Sequence, residues 1–212
     1  MKIVIAVLLL LGSACAQAQA LTAEDRLFRA IEEGKQLVAE GVVARGAVKL
    51  DATNSKGEAA LHLAIEKEYR ALTEMLVKAG ASPNVRSANG ETPMHYAALH
   101  DDPWAVELLL TVKADTRAIN KDGESVLLWA VMSGSAKSAR LLLERGADPK
   151  TVDKKGNTLL HACADNGQFE MARALVSLGV DPRIRNRAGQ RPLDIAREGG
   201  HKELVQYLQK FQ

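Results

Sequence analysis

Aromatic side chains are scarce. Two Trp, three Tyr and three Phe make up 4% of the 212 residues, so the core must be packed mainly from Leu, Val, Ile and Ala. Two cysteines allow at most one disulfide and exclude an all-cysteine zinc site. Charge of one sign is nearly absent as an excess: 28 Lys and Arg against 26 Asp and Glu leave +2, which gives no reason to expect nucleic acid as a partner. There is no Gly-x-x-x-x-Gly-Lys-Ser/Thr phosphate loop, no His-Glu-x-x-His metal helix, no Gly-x-Ser-x-Gly elbow and no Asn-x-Ser/Thr sequon. No acid, base and nucleophile converge in one stretch. The chain is therefore read as a non-enzyme with no catalytic residues, no metal and no cofactor. Apolar residues at 47% and charged residues at 25% still place it among chains that bury an ordinary core.

The only long hydrophobic run lies at the start. Lys2 precedes an unbroken apolar stretch from Ile3 to Leu11, which Gly12 and Ser13 close. Ala14-Cys15-Ala16-Gln17-Ala18-Gln19-Ala20 follows. A basic start, a short apolar run and a small-x-small site make a secretory signal peptide over 1–20, and the run is about half the ~20 residues a membrane-spanning helix needs. Cleavage after Ala18 or after Ala20 both fit. A rival reading takes Gly12-Ser13-Ala14-Cys15 as a lipoprotein signal with Cys15 acylated, although Gly12 stands where that signal usually has Leu. The expected location is outside the cytoplasm, in a periplasm, with a membrane-anchored or secreted form as the alternatives. Removing 1–20 takes away Cys15 and leaves Cys163 alone, so no internal disulfide can form.

The remainder is periodic. Glycines stand at 57, 90, 123, 156 and 189, a constant step of 33. In the same register fall Glu58-Ala59-Ala60-Leu61-His62-Leu63-Ala64, Glu91-Thr92-Pro93-Met94-His95-Tyr96-Ala97, Glu124-Ser125-Val126-Leu127-Leu128-Trp129-Ala130, Asn157-Thr158-Leu159-Leu160-His161-Ala162-Cys163 and Gln190-Arg191-Pro192-Leu193-Asp194-Ile195-Ala196. A second word recurs later in the unit: Ala79-Gly80-Ala81-Ser82-Pro83, Arg145-Gly146-Ala147-Asp148-Pro149 and Leu178-Gly179-Val180-Asp181-Pro182, with Val112-Lys113-Ala114-Asp115 in the second unit.

Elementary chemistry reads these words directly. Thr92 is an N-cap and Pro93 suits the first helical position. His95 then falls where a ring nitrogen reaches loop backbone. Gly80, Gly146 and Gly179 suit a residue with positive φ just past a helix, so Lys113 at that place is expected to be strained. Ala64, Ala97, Ala130 and Ala196 mark a small-residue column, and Cys163 takes an alanine's place in it rather than a nucleophile's. Leu72 and Leu76, Val106 and Leu109, Ala139 and Leu142, Ala172 and Leu175, and Leu204 and Leu208 have helical spacing, and only stacked neighbours can bury such faces. His62, His95 and His161 fall on different repeats, about 10 Å apart per repeat, and are read as capping groups rather than metal ligands. Trp129 is placed in the core of its helix, and Trp104 is left between core and surface. Asp101-Asp102-Pro103 is read as a helix start with Pro103 at the first helical position.

The step of 33, the Thr-Pro-Leu-His-x-Ala pattern and the Gly-Ala-Asp word resemble the ankyrin repeat over 54–212. That resemblance implies an all-α solenoid of helix-turn-helix units joined by β-turn loops, in five repeats: 54–86, 87–119, 120–152, 153–185 and 186–212. Residues 21–53 are read as an N-terminal capping helix pair, and Gln206 to Gln212 as a cap at the other end.

The resemblance also implies non-covalent protein binding through the concave face, by a chain expected to be monomeric. The loop tips then hold Lys56, Arg86, Lys121, Lys154, Lys155, Arg185 and Arg187 against one acid, Asp122. Leu99, His100, Ile119 and Met132 are the neighbouring contacts. A partner with an acidic surface fits that set. Three roles stay open: a general scaffold, an immunity-type inhibitor of a toxin, or an accessory that stabilises a periplasmic enzyme.

Overall fold

The computed structural model describes residues 21–212; the signal segment and Cys15 lie outside the described residues. Among the described residues twelve α-helices follow one another in pairs. They are α1 (Ala23–Glu32) with α2 (Gln36–Ala44), α3 (Ala60–Glu66) with α4 (Arg70–Lys78), and α5 (Pro93–Ala98) with α6 (Trp104–Thr111). Then come α7 (Val126–Met132) with α8 (Ala136–Glu144), α9 (Leu159–Asp165) with α10 (Phe169–Ser177), and α11 (Pro192–Glu198) with α12 (Lys202–Leu208). A 3-10 turn, Gln209–Phe211, ends the chain. The inner helices α3, α5, α7, α9 and α11 stack on one another in chain order, which makes the solenoid. Isolated bridges Thr53–Ala59, Ile119–Ser125 and Val152–Thr158 pin the loops between units.

Two columns of side chains hold the stack. Ala64, Ala97, Ala130, Cys163 and Ala196 are all fully buried, and nothing larger than a thiol fits where the inner helices approach. The outer helices bury Leu76, Leu109, Leu142, Leu175 and Leu208 in one register. Each such side chain contributes about 1.5–3 kcal/mol of transfer free energy, and because every column is shared between units, no pair buries its face alone.

The inner helices start alike. In α3, α5 and α9 the third residue is a histidine whose Nδ1 accepts the N-cap backbone N–H, at 3.0 Å from Ala59, 3.0 Å from Thr92 and 3.1 Å from Thr158. In α7 the third residue is Leu128, and the Ser125 hydroxyl caps the helix instead, accepting the Leu128 N–H at 3.1 Å. In α11 Asp194 takes the Arg191 N–H at 2.9 Å, and two further bonds to the Arg191 guanidinium hold its carboxyl down at about 2.

Two expectations about packing need correcting. Trp129 is only half-buried, because its indole Nε1 is held out by a hydrogen bond donated to Glu124 at 2.9 Å. Pro103 is the N-cap of α6 rather than its first residue, and Asp102 accepts the Trp104 N–H at 3.2 Å. Trp104 itself is half-buried under the Arg70 guanidinium, 5.1 Å from the ring centre.

Lys113 carries the strain expected of it, with φ of 62° where other units use glycine. Lys113→Gly should raise the melting temperature by about 1–3 °C, since relief of roughly 1 kcal/mol is partly offset by the freer unfolded chain. Glu68 was not foreseen: at φ 56° it occupies the turn that Gly134, Gly167 and Gly200 make elsewhere.

The first helix pair stacks as the later ones do, with α2 against α4. Gly41 sits inside α2, and a Cβ built there meets nothing within 4 Å. Interior glycine costs a helix about 0.5–1 kcal/mol, so Gly41→Ala should melt roughly 2–3 °C higher by circular dichroism. No gain would mean that α2 is not helical at that point.

Candidate loop-tip interface

The loop tips are joined by main-chain rungs. The backbone N–H of Lys121 donates to Asn89 O, that of Lys154 to Asp122 O, and that of Arg187 to Lys155 O, each at 2.8 Å. Three of the basic tip residues are thus fixed by the preceding tip, and their side chains leave from a backbone that is already ordered. Within the tips a short polar side chain closes the turn: Asn54, Asn120 and Asn186 accept two backbone N–H groups each, at 2.9–3.0 Å, and the Ser87 hydroxyl accepts two at 3.2 Å. Asp153 accepts the Asn157 N–H at 2.7 Å.

Lys56, Lys121, Lys154, Lys155 and Arg187 are exposed and make no ion pair among the described residues. Arg86 is spent differently: its Nη1 donates to Gly90 O and to Ile119 O, both at 2.8 Å, and stitches two tips together. Arg185 donates to Gly189 O at 2.5 Å and lies 3.9 Å from Asp194. Ile119 and Val152 stand half-exposed on the tips beside the lysines.

The remaining expected contacts fall elsewhere. Leu99 and Met132 are exposed at the C-terminal ends of α5 and α7, one inner helix away from the tips, or about 10 Å at 1.5 Å per residue. His100 is a correction. It is half-buried in the turn after α5, with Nδ1 3.2 Å from Glu68 and its backbone oxygen bonded by the Ser138 hydroxyl at 2.5 Å. Glu68, whose left-handed turn brings its carboxylate there, holds the ring, so His100 is already engaged within the array.

A row missed in the sequence lies beneath the lysines. Glu58, Glu91 and Glu124 follow the tip glycines at the repeat step, and each is turned onto neutral donors. Glu58 accepts from Asn54 Nδ2 at 3.0 Å and from the Tyr96 hydroxyl at 2.9 Å. Glu124 accepts from Asn120 Nδ2 at 2.8 Å and from Trp129. Glu91 accepts from the Ser87 hydroxyl. Burial and the nearby carboxylate push the Tyr96 phenol well up. Tyr96 and Trp129 lie 5.8 Å apart between ring centres and floor the groove. The step of 33 was the signal: these acids share a register with the histidines already singled out.

Those histidines are structural. His62 Nε2 lies 3.2 Å from Glu91 O, His95 Nε2 3.3 Å from Glu124 O, and His161 Nε2 3.0 Å from Gln190 O. With Nδ1 accepting at the N-cap, Nε2 must carry the proton and donate to the next unit. Both nitrogens are occupied, so no lone pair is free for a metal. Cys163 is fully buried, and burial pushes its thiol up to about 12, far from the thiolate a nucleophile needs.

A family model described as ankyrin repeats matches the chain in three copies, over residues 27–120, 76–153 and 127–211. The first copy begins inside α1, so the match takes in the N-terminal helix pair as well. A comparison with curated proteins gave no match.

Proposed function

The chain belongs to the ankyrin repeat family, whose members are protein-binding scaffolds, and we propose that this one is an exported, non-catalytic scaffold that binds an acidic partner protein along its loop-tip ridge. One observation carries the reading: five ridge cations, Lys56, Lys121, Lys154, Lys155 and Arg187, stand exposed with no ion pair among the described residues, while the acids beneath them are turned inward onto neutral donors. Unpaired cations on rung-fixed backbone lose little freedom on docking and steer an acidic surface during encounter. Ile119 and Val152 supply apolar contact between them. The periplasmic location rests on the order Lys2, Ile3–Leu11 and Ala18-Gln19-Ala20, with acylation at Cys15 as the tethered alternative. The intact mass of the processed chain separates the two.

The direct test is cross-linking capture from the native compartment, comparing the wild-type chain with a variant carrying Lys121→Glu, Lys154→Glu and Arg187→Glu. Capture of an acidic partner is expected to fall roughly a hundredfold, because three charges change sign at the site of encounter, a net change of six units. Added salt should weaken the wild-type complex and leave the residual binding of the variant unmoved. Equal capture by both chains removes the ridge from the interface.

A further inference from the structure

Among the described residues the array is closed at one end and open at the other. Position 72, in the outer helix of the repeat 54–86, faces the helix pair before it. Leu72 is buried there, as are its counterparts Ala105, Ser138 and Leu204, while Met171 is partly buried; each has a preceding unit against it. The counterpart in the first pair is Val38, and it is 53% exposed. Beside it Val42 stands where Leu76, Leu109, Leu142, Leu175 and Leu208 are buried in the later units, and Leu37 is 82% exposed. A terminal unit ordinarily shows water a polar outer face. The C-terminal end does so, with Gln206, Gln209 and Lys210 exposed. Outer helix α2 instead carries the residues of a stacking face.

That face forms a shallow groove of about 440 Å³. Its floor is Val38, Gly41 and Val42, and the missing Cβ at Gly41 opens a track along the helix on which another backbone can come close. Its rim is basic, with Arg26, Arg29, Lys35 and Arg45 against the single acid Glu33. Glu33 is shared by Arg29 at 3.4 Å and Lys35 at 2.7 Å, and Arg26 and Arg45 have no carboxylate partner among the described residues.

The rim chooses among the possible occupants. The chain's own residues 1–20 contain no Asp or Glu, so they offer the rim nothing. A second copy docked face to face would bring four cations against four, and one docked head to tail would present the polar C-terminal end to an apolar floor. We infer that this groove takes an amphipathic helix of a partner protein, apolar on one side and flanked by Asp or Glu, laid along α2 where the outer helix of a preceding repeat would lie. The surface is separate from the loop-tip ridge. It gives the array a second contact, at its end rather than on its concave side.

The experiment places a photo-reactive phenylalanine analogue at position 37 of the full chain in its own cell and sequences what is cross-linked. The expected product is a segment of another protein with apolar residues at helical spacing and acidic flanks. Its yield should drop at least tenfold with Arg26→Glu and Arg45→Glu and survive Arg26→Lys and Arg45→Lys. Gly41→Ala should lower the yield severalfold while the melting temperature rises, a combination that damage to the fold cannot produce. The ridge variant with Lys121→Glu, Lys154→Glu and Arg187→Glu should leave this product unchanged, so failure at the ridge and failure here are read apart. Cross-links to residues 1–20, to a second copy, to a segment without acidic residues, or to no protein at all each overturn the inference.

Discussion

Acidification from pH 7 to pH 4 is expected to remove about 3 kcal/mol of stability through His95 alone, with further loss through His62 and His161. Burial holds all three rings below the ordinary histidine value, and His95 falls from 6.5 to about 4. The sign follows from proton counts. Between pH 6.5 and 4 the unfolded chain binds a proton at His95 and the folded chain does not, so stability is complete above 6.5 and declines as pH falls through that window. A shift of about 2.5 units at 1.36 kcal/mol per unit gives the magnitude. The geometry explains why the folded state refuses the proton. Nδ1 already accepts the Thr92 N–H, and protonation would set two donors against each other while placing a charge beneath two repeats. Arg86 adds to the depression, and Glu124 opposes it. The shifted carboxylates act lower on the scale: Asp194, held at about 2, loses its contribution only below about pH 4. Urea unfolding at pH 7.5, 6, 5 and 4 measures the slope. His95→Leu is the informative variant, because the chain already carries Leu128 at that position with a hydroxyl cap behind it, and Thr92 can serve as Ser125 does. The variant should be less stable at pH 7.5 and shallower in slope by about 1.4 kcal/mol per pH unit. A wild-type midpoint that does not move between pH 7.5 and 4, or an unchanged slope in the variant, sinks the account.

Much of this fold is legible because it is written five times. A residue such as Ala97 says little by itself, but its agreement with Ala64, Ala130 and Ala196 identifies a contact column, and all four are buried. The same redundancy exposed Lys113 as an exception before its φ was known. What stayed hidden lacks a counterpart in the other units. Glu68 makes a glycine-like turn without being glycine, and the register cannot say that its carboxylate then reaches His100. Trp129 shares a column with Leu63, but the column fixes only where Cβ points, and how far an indole projects depends on the acid it finds, Glu124. The direction of the α2 face was hidden for another reason. Val38 and Val42 look like ordinary core residues, and only the order of stacking shows that they face away from every described unit.

The tip glycines tie the fold to the ridge, and Gly57→Ala should be among the most damaging single changes in the loops. Gly57 has φ of 76°, and a Cβ there would lie 2.6 Å from the backbone nitrogen of Ala88 and 2.7 Å from its Cβ. The left-handed backbone costs an alanine roughly 1–2 kcal/mol. The clash adds about 1–3 kcal/mol more, since the obstacle is the main chain of the next tip rather than the end of a flexible side chain. A total of about 2–5 kcal/mol corresponds to a melting temperature lower by roughly 6–15 °C. Gly189 supplies the control. Its φ of 80° is nearly the same, but a Cβ there meets nothing within 4 Å, so Gly189→Ala should lose only the strain, about 3–6 °C. The difference between the two variants isolates the tip-to-tip contact from the backbone conformation. It also bears on binding. If the ridge works because each tip is seated on the one before, displacing Ala88 must loosen the spacing between Lys56 and Lys121, and capture of the acidic partner should weaken at temperatures where the variant is still folded. Equal melting losses for Gly57→Ala and Gly189→Ala would show that the tips do not press on one another. Undiminished capture by folded Gly57→Ala would show that the partner reads the charge of the ridge and not its spacing.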